Sequence, residues 1–206
     1  SVLLNGYMQE NYKQDDQLKL FDDFTIVYTG SLYAHQPIGV FLEAFKKALD
    51  DQLIIKLIFV GLLGESAAVK KVMQICKGYE HNIQFTERIP KREAIRIQQK
   101  SHLLLSTCYA DLRGIPGSKL YEYIALKKPV LVCPPDNDII EETLSETGQA
   151  FIAANTEEAF QLLKKLYQEY VSEGNIKLAA FNEAAITKYS RQAQTKVLAD
   201  AIHKLI

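Results

Sequence analysis

Short apolar runs alternate with amphipathic stretches along most of the chain, and this alternation constrains the fold more than any other feature. The apolar runs lie at 25–28, 54–60, 83–85, 103–105, 130–133 and 150–153. Most of them are almost continuously hydrophobic, as strands are when both faces of a sheet are covered. The stretches with apolar residues at helical spacing lie at 37–50, 65–77, 91–100, 118–126 and 139–146. The pattern predicts right-handed crossovers and a doubly wound, Rossmann-like α/β fold with a parallel sheet of about six strands.

The two ends of the chain lack this alternation. Residues 1–20 are polar and weakly patterned, which is typical of an interdomain linker. Residues 21–175 form the predicted α/β domain, and residues 176–206 are amphipathic and predicted to form a C-terminal helix. The chain does not begin with Met, and its 206 residues suffice for one domain rather than two. We therefore expect it to be part of a longer polypeptide.

Composition argues against several classes of function. The 24 basic and 25 acidic residues give a net charge of -1, which offers no electrostatic basis for a nucleic-acid partner. No apolar run reaches the roughly 20 residues of a membrane-spanning helix, and the first residues do not resemble a signal peptide. The three cysteines are far apart and the four histidines show no zinc spacing, so we expect a cytoplasmic protein without a bound metal.

Ligands of doubly wound sheets bind beyond the carboxyl ends of the strands, so the loops that follow the apolar runs are the candidate site. These loops are 30–36, 61–64, 87–90, 107–117 and 134–138. The fourth loop contains glycines and leads into a predicted helix. A helix start presents unpaired N–H groups and the positive end of the helix dipole, which together hold phosphate oxygens.

Four residues around this helix start could complete a nucleotide site. Gly117 permits close approach of a ligand to the backbone. Ser118 can cap the helix or donate its hydroxyl to a phosphate, and Lys119 adds a positive charge. Glu122 lies one turn further on the same face, where its carboxylate can accept two hydroxyl hydrogens from a ribose. The residues alone fit equally well with a capped helix whose Lys119 and Glu122 are merely solvated.

The same stretch carries a family resemblance. The sequence Gly-Ser-Lys-Leu-Tyr-Glu-Tyr at 117–123, followed by Lys-Pro-Val-Leu at 128–131, resembles the signature of group 1 (family 4-like) glycosyltransferases. Weaker likenesses follow in order along the chain, at 5–7, 28–32, 59–61 and 85–90. The resemblance implies the C-terminal, nucleotide-sugar-binding half of a retaining GT-B enzyme, acting in polysaccharide or glycoconjugate biosynthesis.

The resemblance also implies roles for individual residues. Glu122 would bind the ribose, and residues 118–119 would hold the diphosphate together with the helix start. Residues 30–31 would lie near the phosphates or the sugar, residues 88–89 would border the base, and residues 61–62 would lie beneath the nucleotide. The predicted donor-binding residues are Gly30, Ser31, Gly61, Leu62, Arg88, Ile89, Arg113, Gly117, Ser118, Lys119, Leu120 and Glu122.

Two positions depart from the family pattern. Eight residues before Glu122, where the family often has a Glu that contacts the donor sugar, this chain has Gly114. That contact is either absent or supplied by another group, such as Asp111 or Arg113. After the glycine of the first strand, where the family often has a phosphate-neutralising Arg, this chain has Ser31. The groups that could replace that charge are Lys119, Arg113 and His35.

The resemblance implies partners as well. The donor would be a nucleotide-diphosphate sugar bound without a metal or other cofactor. An N-terminal domain of the same polypeptide would supply the acceptor and receive the packing of residues 176–206. No catalytic residue is assigned to this half, which we expect to be inactive alone. The full enzyme would be cytoplasmic or peripheral to the inner face of a membrane, with membrane contact only through the other domain.

Two other interpretations stay open at this point. The first is a sugar-nucleotide epimerase, which has the same architecture. The second is a non-catalytic α/β ligand-binding module. A receiver-like module would need an acidic cluster after its first strand, where this chain has Gly30 and Ser31.

Overall fold

The structure, a computed structural model, describes residues 4–12, 17–110, 112–178 and 180–204. The strands are β1 (Phe24–Thr29), β2 (Ile55–Val60), β3 (Ile83–Phe85), β4 (Leu103–Ser106), β5 (Val130–Val132) and β6 (Ala150–Ile152). The helices are α1 (Gly39–Asp50), α2 (Ser66–Ile75), α3 (Lys91–Lys100), α4 (Ser118–Leu126), α5 (Ile139–Glu146), α6 (Thr156–Glu173), α7 (Glu183–Lys188) and α8 (Arg191–His203). Short 3₁₀ helices lie at Gln9–Tyr12 and Glu80–Asn82.

All six strands pair in parallel in the order β3-β2-β1-β4-β5-β6. This confirms the predicted doubly wound, Rossmann-like sheet. The order reverses between β1 and β4, where the chain crosses from one half of the sheet to the other. Loops diverge at such a reversal and leave a crevice beyond the strand ends. The fold therefore places the candidate site between the loops that follow β1 and β4.

The hydrophobic core lies on both faces of the sheet. Alternate residues of a strand point to opposite faces: Ile26 of β1 joins the cluster of α1, α2 and α6, whereas Val27 joins that of α3, α4 and α5. Every residue of β1 is buried. This explains why the runs read as continuously hydrophobic rather than alternating. In the described part of the chain, no helix is both long enough and apolar enough to span a bilayer.

The prediction of one continuous helix over 176–206 is wrong. The segment contains two helices, α7 and α8. Each begins with a side-chain cap: Asn182 Oδ1 accepts a hydrogen bond from Ala185 N at 3.1 Å, and Ser190 Oγ accepts one from Ala193 N at 3.1 Å. A second capping residue stops the first helix and restarts the chain in a new direction. Helix α8 leaves Val197, Leu198 and Ile202 exposed.

Part of the predicted linker packs onto the domain. Tyr7 N donates to Tyr189 O at 3.2 Å, and Arg191 N donates to Tyr7 O at 2.8 Å, so the segment lies beside the junction of α7 and α8. The rings of Tyr7 and Tyr12 are buried in the core cluster on the α4 side of the sheet. Gly6 is required there, since a Cβ would lie 2.8 Å from Tyr189 O and 2.9 Å from Arg191 N. That residues 1–20 link two domains stays a prediction.

Candidate functional site

A cleft of about 170 Å³ lies at the reversal point of the sheet, between the carboxyl ends of β1 and β4 and the start of α4. Half of the predicted donor-binding residues line it, namely Gly30, Ser31, Gly117, Ser118, Lys119 and Leu120. The other half lie outside its lining, namely Gly61, Leu62, Arg88, Ile89, Arg113 and Glu122. The structure thus brings together residues that are nearly ninety positions apart in sequence.

One wall of the cleft is the turn after β1. Gly30 N donates to Val60 O at 2.9 Å, which fixes the turn to β2. Gly30 has φ +109°, a conformation that a side chain disfavours. A Cβ at Gly30 would lie 3.7 Å from Lys119 Cε, so the lysine stem passes directly over this glycine. The turn and the start of α4 are therefore in contact across the cleft.

The opposite wall is the start of α4. Gly117 occupies the N-cap position and has no side chain with which to cap the helix. The alternative that Ser118 caps the helix is wrong, because Ser118 is the first helical residue and is exposed. Leu120 is buried and its side chain packs in the core, so only its backbone can serve a ligand. The first-turn amides and the positive end of the helix dipole consequently face a cleft large enough for small polar groups.

Lys119 and Glu122 form an ion pair at the edge of the cleft. Lys119 Nζ donates to Glu122 Oε2 at 2.9 Å, and Lys91 Nζ lies 3.7 Å from Glu122 Oε1. The carboxylate side chain is only 13% exposed, whereas that of Lys119 is 37% exposed. Tyr12 also lies beside this carboxylate. Burial raises the pKa of the Tyr12 hydroxyl, and so do the negative charge of Glu122 and a hydrogen bond between Tyr12 and Glu122. The interpretation of Lys119 and Glu122 as merely solvated residues does not describe this geometry.

Glu122 also lies next to the loop after β3. Lys91 begins α3 directly after this loop, so its approach to Glu122 brings the loop at 87–90 close to the carboxylate. Arg88 is exposed there, and Ile89 packs partly against the core. The carboxylate therefore stands between Lys119 on the cleft side and the predicted base-framing loop on the other.

The residues after β2 divide into a turn and a core residue. Gly61 has φ +89°, and its N–H donates to Thr86 Oγ1 at 3.0 Å. The side chain of Leu62 is wholly buried in the core. Any contact of Leu62 with a ligand would have to use its backbone, because apolar burial holds the side chain in the interior.

Of the groups expected to replace the two missing family contacts, Arg113 and His35 do not line the cleft. Arg113 lies on an exposed loop, where neighbouring Gly114 N donates to Asp138 Oδ2 at 2.6 Å. Asp111 lies outside the described residues. His35 is exposed and stacks on Tyr33, with ring centroids 5.8 Å apart. Of the three groups expected to replace the charge at Ser31, only Lys119 lines the cleft.

Sequence reasoning missed several polar residues of the cleft. Tyr33, Gln36, Thr107 and Tyr109 line it and lie in loops that the sequence had singled out. The only sequence feature that pointed to them was their position after a strand. Whether the side chain of a loop residue faces the cleft depends on packing, which the sequence pattern does not show. The ring of Tyr123 lies in the core, and its hydroxyl accepts from Thr29 N at 3.2 Å.

The hydroxyl of Tyr123 belongs to a buried network beneath the cleft. The hydroxyl accepts from Thr29 N, and Thr29 Oγ1 in turn accepts from Gln98 Nε2 at 3.1 Å. The network joins β1 to α4 through Tyr123 and to α3 through Gln98. Burial raises the pKa of Tyr123, so its hydroxyl stays protonated and neutral at physiological pH.

Groups of three or more His, Cys, Asp or Glu side chains that could hold a metal ion are not found within the described ranges. Metal-independent donor binding thus stays a prediction, as does the absence of any other cofactor.

A family model described as "Glycosyl transferases group 1" matches residues 23–169. The match includes all six strands and every residue of the cleft. No curated protein matches the chain in sequence.

Solved structures show the same fold at low sequence identity. HepE from Anabaena, in complex with UDP and glucose, has a TM-score of 0.76 and 16% identity over 98% of this chain and 56% of HepE. A glycosyltransferase from Rickettsia africae has a TM-score of 0.71 and 16% identity over 98% and 56% of the two chains. A putative UDP-N-acetylglucosamine 2-epimerase from Listeria monocytogenes has a TM-score of 0.53 and 18% identity over 89% and 46%. The chain therefore spans about half the length of these proteins and has the fold of one half of a GT-B enzyme.

Proposed function

Because the chain belongs to the group 1 glycosyl transferases, we propose that its cleft binds the nucleoside-diphosphate sugar of a retaining glycosyltransferase. The observation that carries this proposal is the start of α4, which opens beside Lys119 into a cleft at the reversal point of the sheet. Backbone amides, a helix dipole and an ammonium group then converge on a single position. That combination suits a diphosphate better than any neutral ligand.

The diphosphate would lie between the α4 start and the turn at Gly30. Both walls are glycine-containing backbone at this point, which lets phosphate oxygens approach N–H groups closely. Ser118 is exposed and can donate its hydroxyl. When the bond between sugar and phosphate breaks, negative charge grows on the leaving diphosphate, and these donors stabilise it.

The nucleoside would extend past Glu122 towards the loop at 87–90. Glu122 is mostly buried and held by two lysines, so its carboxylate is fixed in direction. A fixed carboxylate is a suitable acceptor for the two adjacent hydroxyls of a ribose. The loop at 87–90 would then border the base by its backbone, since Arg88 is exposed and Ile89 packs partly on the core.

The acceptor and the rest of the active site would come from another domain of the same polypeptide. The chain spans 56% of the length of HepE, which leaves a second half of comparable size to be supplied. The exposed apolar residues of α8 support packing of the C-terminal segment against that half. The whole enzyme would act in polysaccharide or glycoconjugate synthesis at the cytoplasmic side of a membrane, and this chain alone would transfer no sugar.

A sugar-nucleotide epimerase is the second candidate, and one observation favours it. The similar Listeria monocytogenes structure is described as a putative epimerase, so the fold accommodates both types of enzyme. The family match favours transfer. Analysis of the products formed by the full-length protein separates them, because an epimerase interconverts two nucleotide sugars and a transferase releases the nucleoside diphosphate.

Titration of the 206-residue chain with UDP and GDP by calorimetry tests the proposal. UDP is the first probe because the HepE structure contains it. We expect binding of one of the two, and a loss of roughly tenfold in affinity in Lys119→Gln, since a charge-assisted hydrogen bond is worth about 1.5–3 kcal/mol. Lys164→Gln is the matched control, because Lys164 lies on α6, away from the cleft, and pairs with Asp51 at the end of α1. Absence of heat at millimolar UDP and GDP would contradict the proposal.

A further inference from the structure

The side chain of Tyr109 reaches across the start of α4. Its hydroxyl lies 2.8 Å from the position that a Cβ on Gly117 would occupy, and the next ring atoms lie at 3.7 and 3.8 Å. Tyr109 lines the cleft, and its ring contacts those of Tyr33 and His35, with centroids 6.2 Å apart in each case. Among the residues that the structure describes, no hydrogen-bond partner of the hydroxyl is found. A hydroxyl therefore stands at the helix start, where it can donate to a ligand.

Thr107 presents a second hydroxyl, and this one is buried. It directly follows β4, lines the same cleft and is only 4% exposed. Its Oγ1 is buried without a hydrogen-bond partner in the described part of the chain. Leaving a buried hydroxyl unpaired is costly, so such groups in a native protein call for an explanation such as a ligand. Two unpaired hydroxyls two residues apart thus lie in one cleft beside one helix start.

We propose that Tyr109 and Thr107 donate hydrogen bonds to the distal phosphate of the nucleoside diphosphate and so determine specificity for a diphosphate over a monophosphate. This inference rests on the proposed function. It identifies what replaces the arginine expected at Ser31: two neutral donors beside Lys119 rather than a second cation. Phosphate oxygens only accept hydrogen bonds, and both hydroxyls are free to donate.

Two further features agree with this role. A Cβ at 117 would lie 2.8 Å from the Tyr109 hydroxyl, so Gly117 leaves room for the tyrosine over the helix start as well as for the ligand. Burial raises the pKa of Tyr109, with a smaller contribution from Tyr33. The hydroxyl is therefore a protonated donor at neutral pH, as binding of an anion requires.

The test compares UDP with UMP for wild type, Tyr109→Phe and Thr107→Val. Tyr109→Phe removes only the hydroxyl, and Thr107→Val replaces the hydroxyl with a methyl group of similar size. The wild type should bind UDP more tightly than UMP. Each variant should lose roughly tenfold in affinity for UDP, whereas affinity for UMP should stay within about twofold of wild type, because a hydrogen bond to a charged phosphate is lost only in the diphosphate complex. If GDP rather than UDP binds the wild type, GDP and GMP take their place.

Tyr170→Phe serves as the matched control. Its hydroxyl donates to Asp22 O, at the opposite end of the sheet, and its loss should change neither affinity. Equal losses for UDP and UMP, or unchanged UDP affinity in both folded variants, would overturn the role of the two hydroxyls while leaving the proposed function intact. A wild type that binds neither UDP nor GDP would overturn both.

Discussion

Replacing Gly6 by alanine should detach the N-terminal segment from the junction of α7 and α8. The added Cβ would lie 2.8 Å from Tyr189 O, 2.9 Å from Arg191 N and 3.0 Å from Ser190 C. All three are backbone atoms of one short stretch between two helices, so no side chain can turn away to make room. Since favourable contacts of carbon begin near 3.5 Å, the segment at 4–7 must move outward.

The magnitude follows from the contacts that this movement breaks. Tyr7 N donates to Tyr189 O, Arg191 N donates to Tyr7 O, and Arg191 Nε donates to Gly6 O at 3.1 Å. At about 0.5–1.5 kcal/mol for each bond, and with part of the buried Tyr7 ring exposed, we expect the free energy of unfolding to fall by about 2–4 kcal/mol.

Urea denaturation monitored by circular dichroism measures this change, and hydrogen exchange at Arg191 N reports the detachment directly. Gly64→Ala is the control, because a Cβ there meets nothing within 4 Å and should change stability by less than about 0.5 kcal/mol. If Gly6→Ala stays within that range too, and Arg191 N keeps its protection, the reasoning about close backbone approach is refuted.

Two further predictions concern the ribose acceptor and pH. Glu122→Ala should remove the preference of the wild type for UDP over 2′-deoxy-UDP, because the carboxylate would no longer accept the 2′-hydroxyl; a preference that survives in calorimetric titration would return Glu122 to a structural role. Burial lowers the pKa of His102 to about 4 from its usual value near 6.5, and its Nδ1 accepts from Thr25 N at 3.0 Å. As the pH falls, His102 is therefore protonated in the unfolded chain before it is protonated in the folded chain. The free energy of unfolding should accordingly fall as pH drops from about 6.5 towards 4. His102→Gln, followed by urea denaturation at several pH values, should flatten that slope, and an unchanged slope would contradict the assignment.

The sequence predicted the fold well because hydrophobic burial determines it. Helix α4 begins and ends as predicted, at 118 and 126, and each apolar run corresponds to a strand. The helical tail was predicted less well, because apolar periodicity continues through Asn182 and Ser190 although both are capping residues. Capping is a local signal that a search for periodicity overlooks.

The candidate site was predictable only in part. Glycines and charged residues next to strand ends identified the α4 start and the turn at Gly30, since those features depend on local backbone chemistry. They did not reveal which way a loop side chain points. Leu62 was grouped with the site although it belongs to the core, whereas Tyr109 was overlooked although it lies over the helix start. Both outcomes depend on long-range packing, which a single sequence does not encode in any short window.

The buried contacts among Thr29, Gln98 and Tyr123 mean that the spacing of the cleft is set by the interior rather than by its rim. Loop residues can then be exchanged without moving the two walls apart. A library that randomises the exposed residues 33–35 should accordingly yield many folded proteins, among which the proposed donor specificity can vary. Substitutions at Tyr123, whose hydroxyl joins α4 to β1 beneath the cleft, should instead alter the recognition of every donor alike.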